Sequence, residues 1–265
     1  MEIIGYFASA LIGISLGLIG GGGSILTVPV LVYLFAVSPV TATAYSLFIV
    51  GATSLVGTYQ KYKDGMVDVK TGLIFGAPSI FAVYLTRKWL VPAIPSTIFE
   101  VGGFEVTKSL LLMLLFAVLM VFASISMIRD RKAVVKETEP ATPKMNYPMI
   151  LIEGAVVGIL TGLVGAGGGF LIIPALVLFT GLQMKQAIGT SLLIIAAKSL
   201  IGFTGDLSNM EMDWSLLLIV TSIAVAGIFL GNRLSKSIDG NRLKKGFGWF
   251  VLAMAVYIII KEILG

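Results

Sequence analysis

Two short stretches of this chain carry most of its chemical potential, and neither contains a charged side chain. Gly20-Gly21-Gly22-Gly23-Ser24 and Gly165-Ala166-Gly167-Gly168-Gly169 both sit in apolar surroundings. A glycine costs about 1 kcal/mol in a helix relative to alanine, so each run predicts a break in the helix that contains it. Unwound glycine backbone presents free N–H groups, and a helix restarting at Ser24 or Gly169 adds the positive end of its dipole. Such an arrangement holds a small anion without any cationic side chain. Ser24 is the right type of residue to cap the restarting helix, and Pro29 and Pro174 fall near the two starts. Close packing of helices is the competing use of glycine. It accounts for Gly13, Gly17 and Gly21, and for Gly154, Gly158 and Gly162, which recur at four-residue spacing. It does not call for four glycines in succession.

The apolar segments that follow the two runs supply the remaining candidates. Lys198 is the one cation well inside an apolar run, and charges there are functional by default. Snorkelling is its bland alternative, since water is about seven residues away along the helix. Ser46, Thr53, Thr190 and Ser191, with Ser54 and Ser199 beside them, offer hydroxyls that can donate to the oxygens of an oxoanion. Each can instead bond to the preceding helical turn. Asp68 and Asp213 stand where helices should begin and read as N-caps. Glu153 reads as interfacial.

Several kinds of chemistry are excluded or disfavoured. The 265 residues include no Cys and no His. Disulfides and thiolate chemistry are therefore ruled out, and the commonest general base and metal ligand is missing. No metal site, cofactor site or paired intramembrane carboxylate is legible, so a membrane enzyme is disfavoured. Gly13-Ile14-Ser15-Leu16-Gly17 matches a nucleophile-elbow pattern, but that pattern needs a strand–turn–helix and a histidine partner. The net charge of +5 does not point to nucleic acid, because the basic residues lie between apolar runs and not on one face.

Those runs must position the candidates. Hydrophobic residues make up 57% of the chain and charged ones only 12%, about half the usual soluble share. Segments near 41–60, 69–87, 107–128, 185–204, 213–232 and 244–261 are long enough to span a bilayer. The chain is also duplicated. A shift of 145 residues superimposes Gly17 on Gly162, Gly20 on Gly165, Pro29 on Pro174, Ser46 on Ser191, Thr53 on Lys198 and Asp68 on Asp213. Between residues 13 and 57, 19 of 45 positions are identical with their partners. The expected architecture is an all-α polytopic membrane protein of two repeats, 1–128 and 147–265, joined by a charged linker at 129–146. An insertion at 90–105, rich in Pro and Gly, reads as a loop or interfacial segment.

Each repeat opens with a segment, 3–36 or 147–180, too long for one crossing and short for two. Basic residues choose between the possibilities. If each segment crosses once, the two sides carry equal numbers of Lys and Arg. If each returns to its starting side, Arg87, Lys88, Lys108 and Lys261 lie on one side, and the other 14 that flank spans lie opposite. Cytoplasmic loops collect Lys and Arg. The expectation is therefore an inverted repeat with the linker inside the cell and both termini outside. Paired, glycine-interrupted segments at matching positions mark the binding site in such proteins.

The motifs GLIGGGGSILTVP (17–29) and GLVGAGGGFLIIP (162–174) resemble the duplicated signature of the TauE/SafE sulfite exporter family, and the resemblance covers nearly the whole chain. It implies a plasma-membrane permease for sulfite, sulfoacetate or a related organosulfur anion, working as a secondary transporter by alternating access. A passive anion channel is the alternative that sequence hardly separates from it. The partners expected are the anion and the lipid bilayer. A homodimer is compatible with the sequence, though no interface can be read from it. Substrate, direction and coupling ion are left open.

Overall fold

A computed structural model of the chain describes residues 2–101, 104–129, 147–235 and 240–264. The expected linker, apart from Arg129, lies outside the described residues.

Helix α1 (Glu2–Ile19) runs into a 3-10 helix at Gly20–Leu26 and then a short α2 (Thr27–Tyr33). Helices α3 (Pro39–Lys63) and α4 (Val69–Leu85) follow. A π-helical turn (Thr86–Leu90) and the single turn α5 (Val91–Ala93) prolong α4, so that Val69–Ala93 forms one 25-residue helical run. Strands β1 (Thr97–Val101) and β2 (Phe104–Thr107) form an antiparallel hairpin pairing Thr97 with Thr107 and Val101 with Phe104. Then come α6 (Lys108–Ile128), α7 (Tyr147–Val164), α8 (Gly169–Thr180), α9 (Met184–Thr204), α10 (Trp214–Leu234) and α11 (Gly240–Leu264). Six of these runs are long and apolar enough to cross a membrane, and they fall where the sequence places them. Large apolar side chains such as Leu73, Phe81 and Phe122 are about two-thirds exposed, as lipid contact requires. The chain is a multi-pass α-helical membrane protein.

Helix starts follow local chemistry. The Asp68 and Asp213 carboxylates accept from the N–H groups of Thr71 and Leu216, so both are the caps that the sequence suggests. Ser38 caps α3 by accepting from Thr41 N–H.

The packing exchanges partners between the two halves of the chain. Helix α1 lies on α10 and α7 lies on α4, while α3 packs on α9 and α6 on α11. Glycine permits the closest approaches. A Cβ at Gly13 would sit 1.8 Å from Ala224 O, and one at Gly158 would sit 2.6 Å from Ser79 O. Gly17 meets Ile228 and Gly231, and Gly154 meets Phe75 and Pro78. The four-residue glycine series therefore serve packing, except that Gly21 turns instead toward Gly169. The same contacts give the helix directions. Gly51 lies beside Leu200, Gly57 beside Leu192 and Gly202 beside Leu47, so α3 and α9 are antiparallel. By the same test α1 runs parallel to α10, and α7 parallel to α4.

Three expectations are corrected. The first glycine run breaks the α-helix, which ends at Ile19 with Gly20 at a φ of 72°, but it does not stay unwound. It coils into a buried 3-10 helix, whose i→i+3 bonds turn its N–H groups inward. Extended backbone there would leave donors orphaned in a water-free interior. Ser24 is accordingly not an N-cap: its hydroxyl donates back to Gly21 O at 2.7 Å, and α2 begins at Thr27 without a side-chain cap. Of the two readings of the insertion at 90–105, the loop is corrected: the segment is a helix end plus most of a hairpin.

Candidate functional site

The two glycine runs meet. A Cβ at Gly21 would fall 2.1 Å from Gly169 Cα, and one at Gly167 would fall 3.2 Å from Ser24 Cβ. Only glycine allows two backbones to touch in this way. Both runs break their helices, the first with one positive φ, at Gly20, and the second with three. Gly165, Gly167 and Gly168 adopt positive φ of 72°, 62° and 71°, and α8 starts immediately afterwards. The turn from Gly165 to Gly169 is buried. Its first helical N–H groups have no place in the α8 ladder, apart from the bonds that Leu171 and Ile172 make to Gly168 O.

Lys198 reaches this turn from α9. Its side chain is fully buried, and its ammonium donates to Thr161 Oγ1 at 2.9 Å. A Cβ on Gly168 would lie 2.8 Å from Nζ, so the missing side chain is what lets the ammonium close on the start of α8. Snorkelling to water is excluded by that burial. The Thr161 hydroxyl in turn donates a hydrogen bond to Val157 O. Among the described residues, only one of the three ammonium donors meets an acceptor, and no carboxylate lies within ion-pair distance.

The hydroxyls divide into two groups. Ser46 donates to Gly165 O at 2.7 Å across 119 residues, bracing the second turn. Ser191, its counterpart, bonds only to Ile188 O in the preceding turn, so the expected symmetric pair is not symmetric in bonding. Thr190 accepts from Asp68 N–H, and Tyr45, the residue matching Thr190 in the other half, accepts from Asp213 N–H. Thr53, Ser54 and Ser199 each bury a side-chain oxygen with no hydrogen-bond partner. They lie on α3 and α9, which pack on each other. Gly20, Gly21 and Gly23 are committed to the coil that packs on α8 and α1, while Gly22 lies within that coil.

Sequence reasoning misplaced Arg87. It stands among the loop cations in the charge count, yet it is fully buried on the π turn that ends α4. Its Nε donates to Asp206 Oδ2 at 2.7 Å, and its Nη1 donates to Thr43 Oγ1 and to Gly162 O. The available signal was the repeat: Arg87 matches Asn232, another polar residue at a span end.

The family profile of the sulfite exporters TauE/SafE matches residues 6–258. A probable membrane transporter protein of Xylella fastidiosa (strain 9a5c) is 29% identical over 255 residues, covering 95% of this chain and 92% of the relative. The Bacillus subtilis (strain 168) probable membrane transporter protein YunE is 29% identical over 262 residues, covering 92% and 89%. The Methanocaldococcus jannaschii probable membrane transporter protein MJ0441 is 35% identical over 117 residues, covering 42% and 44%. No solved structure matches. With the duplicated glycine motif and the multi-pass bundle, these likenesses settle the family: the chain belongs to the TauE/SafE sulfite exporter family of membrane transporters.

Proposed function

We propose that the protein is a secondary transporter for a small oxoanion, sulfite or a related organosulfonate, which binds at the Gly165–Gly169 turn against Lys198. The observation that carries this reading is the buried Lys198 ammonium beside the N-terminus of α8. A cation and a helix N-terminus repel each other, and a buried charge without a partner is costly. An anion between them relieves both costs at once. The orphan hydroxyls of Thr53, Ser54 and Ser199 offer donors to its oxygens as the helices shift. Without His or Cys, covalent or acid–base catalysis has few residues to work with, which favours a carrier over an enzyme.

We further read the two repeats, 1–128 and 147–265, as inverted in the plasma membrane, with 129–146 cytoplasmic and the termini outside. Matched helices α3 and α9 run antiparallel, which supports this reading. One repeat rocking against the other would expose the turn to each side in alternation.

Purified protein in proteoliposomes should take up radiolabelled sulfite and show counterflow; fast flux without counterflow would mark a channel. Lys198→Met keeps the side-chain bulk and removes the charge. Uptake should fall by about 30-fold or more, the usual consequence of removing one member of a buried charge pair. Unchanged uptake with an unchanged KM would sink the assignment of Lys198.

A further inference from the structure

The guanidinium of Arg87 is only partly used. Nη2 is buried and has no partner. That nitrogen belongs to both two-donor edges that a guanidinium presents to an oxoanion. Asp206 takes Nε alone, through one oxygen. Its carboxylate, 1% exposed, stands on the turn after α9, the helix that carries Lys198. Arg87 also donates to Gly162 O, while Lys198 sits at Gly168. Two buried cations thus contact the segment that holds the second glycine turn, one at Gly162 and one at Gly168, and only Arg87 is paired with a carboxylate among the described residues. Lys108, at the start of α6, is within electrostatic range of Arg87 and Asp206 and adds a further positive charge at the hairpin end of the molecule.

Stability does not explain this ion pair. Buried pairs seldom outperform neutral replacements, and an unsatisfied donor adds to their cost. The other half of the chain shows the neutral solution. There the matching residue is Asn232, whose amide donates to Gln60 Oε1. Beside Gln60 and Asn232 an open cleft of about 320 Å³ is lined by Lys61, Lys63, Asp64 and Arg233. One end of the bundle therefore closes on a neutral amide pair beside an open cleft, and the other closes on a buried charge pair.

We propose that Arg87 is a second anion subsite at the hairpin end of the second glycine turn, and that Asp206 occupies it as a tethered carboxylate until the transported oxoanion displaces it. The displacement is an exchange of ligands on one guanidinium. The oxoanion fills the edge that Asp206 half-fills, and Asp206 withdraws with the 205–213 turn as α9 moves away from α4. The transported anion is then handed between Lys198 and Arg87, and never crosses the hairpin end unpaired. This rests on the transporter reading above.

The test compares three variants with wild type in proteoliposomes, using radiolabelled sulfite and thermal unfolding in detergent. R87Q/D206N copies the Asn232–Gln60 solution. It should unfold within a few degrees of wild type, yet transport with kcat/KM lowered by about tenfold or more. R87K keeps the charge and loses the fork, and should also fall by about tenfold. D206N removes the tethered competitor, so its KM for sulfite should drop at least about threefold. Wild-type transport by R87Q/D206N or R87K would overturn the subsite and leave the Lys198 site standing. Should R87Q/D206N fail to fold, D206N decides: an unchanged or higher KM overturns the proposal. If wild type itself moves no sulfite or organosulfonate, the transporter reading fails, and the subsite with it.

Discussion

At Gly168 a single hydrogen in place of a side chain does two jobs. The residue takes a φ of 71°, and a Cβ there would meet Thr161 Cγ2 at 2.1 Å as well as the Lys198 ammonium. Gly168→Ala should therefore abolish sulfite uptake and lower the unfolding midpoint. Gly65 makes the control: its φ is 69°, but nothing lies within 4 Å of the missing side chain. Gly65→Ala should cost about 1–2 kcal/mol of stability from its backbone alone and leave uptake intact. If Gly168→Ala transports like wild type, the turn is not the site. The sequence made this place legible through glycine succession and through one lysine in an apolar run. It did not reveal Arg87, because burial of a span-end cation depends on where a π turn aims it, and a five-residue turn has no sequence signature. Nor did it separate Ser46, which spans the halves, from Ser191, which bonds at home: identical residues at matching places differ only in their neighbours.

Among the elements, the helix pairs α1–α10 and α4–α7 depend on backbone contact that only glycine permits. Gly13→Val should push α1 off α10 and lower stability by about 1–3 kcal/mol, the range for overpacking. Gly246→Val, where a Cβ meets nothing within 4 Å, should do far less. Equal unfolding midpoints for the two variants would show that α1 does not depend on this contact. Long spans were readable because length and hydropathy decide them. The hairpin was hidden by Pro92, Pro95, Gly102 and Gly103, which suggest a loop. Its signal was the alternation of TIFEV and FEVT on either side of Gly102-Gly103. The first glycine run breaks the α-helix as read, but the coil that follows was not legible. Helix propensity says that glycine weakens an α-helix, but a buried segment with no water must still satisfy its own N–H groups, and a tighter coil does so.

For the whole molecule, the antiparallel course of α3 and α9 makes a topological prediction that the absence of native cysteine renders simple to check. Lys63→Cys and Ser235→Cys should label with a membrane-impermeant maleimide from the cytoplasmic side. Glu100→Cys and Glu262→Cys should label from outside. Labelling of all four from one side would refute the inverted arrangement. The charge asymmetry of the sequence points to the same proposed arrangement, even with Arg87 counted as a loop residue, because one misassigned cation cannot reverse so uneven a distribution.

The exchange of partners between the halves has a consequence for descent. Helix α1 is covered chiefly by α10 and α7 by α4, so each half's first helix packs mainly on the other half. A gene encoding a single half would have made a polypeptide unable to complete itself. If the repeats are inverted as proposed, two unfused copies would have had to meet in one bilayer pointing opposite ways. The fused chain could then let its halves diverge. The pairs Tyr45 and Thr190, Thr53 and Lys198, and Asn232 and Arg87 record that freedom, each filling a shared place with a different chemistry.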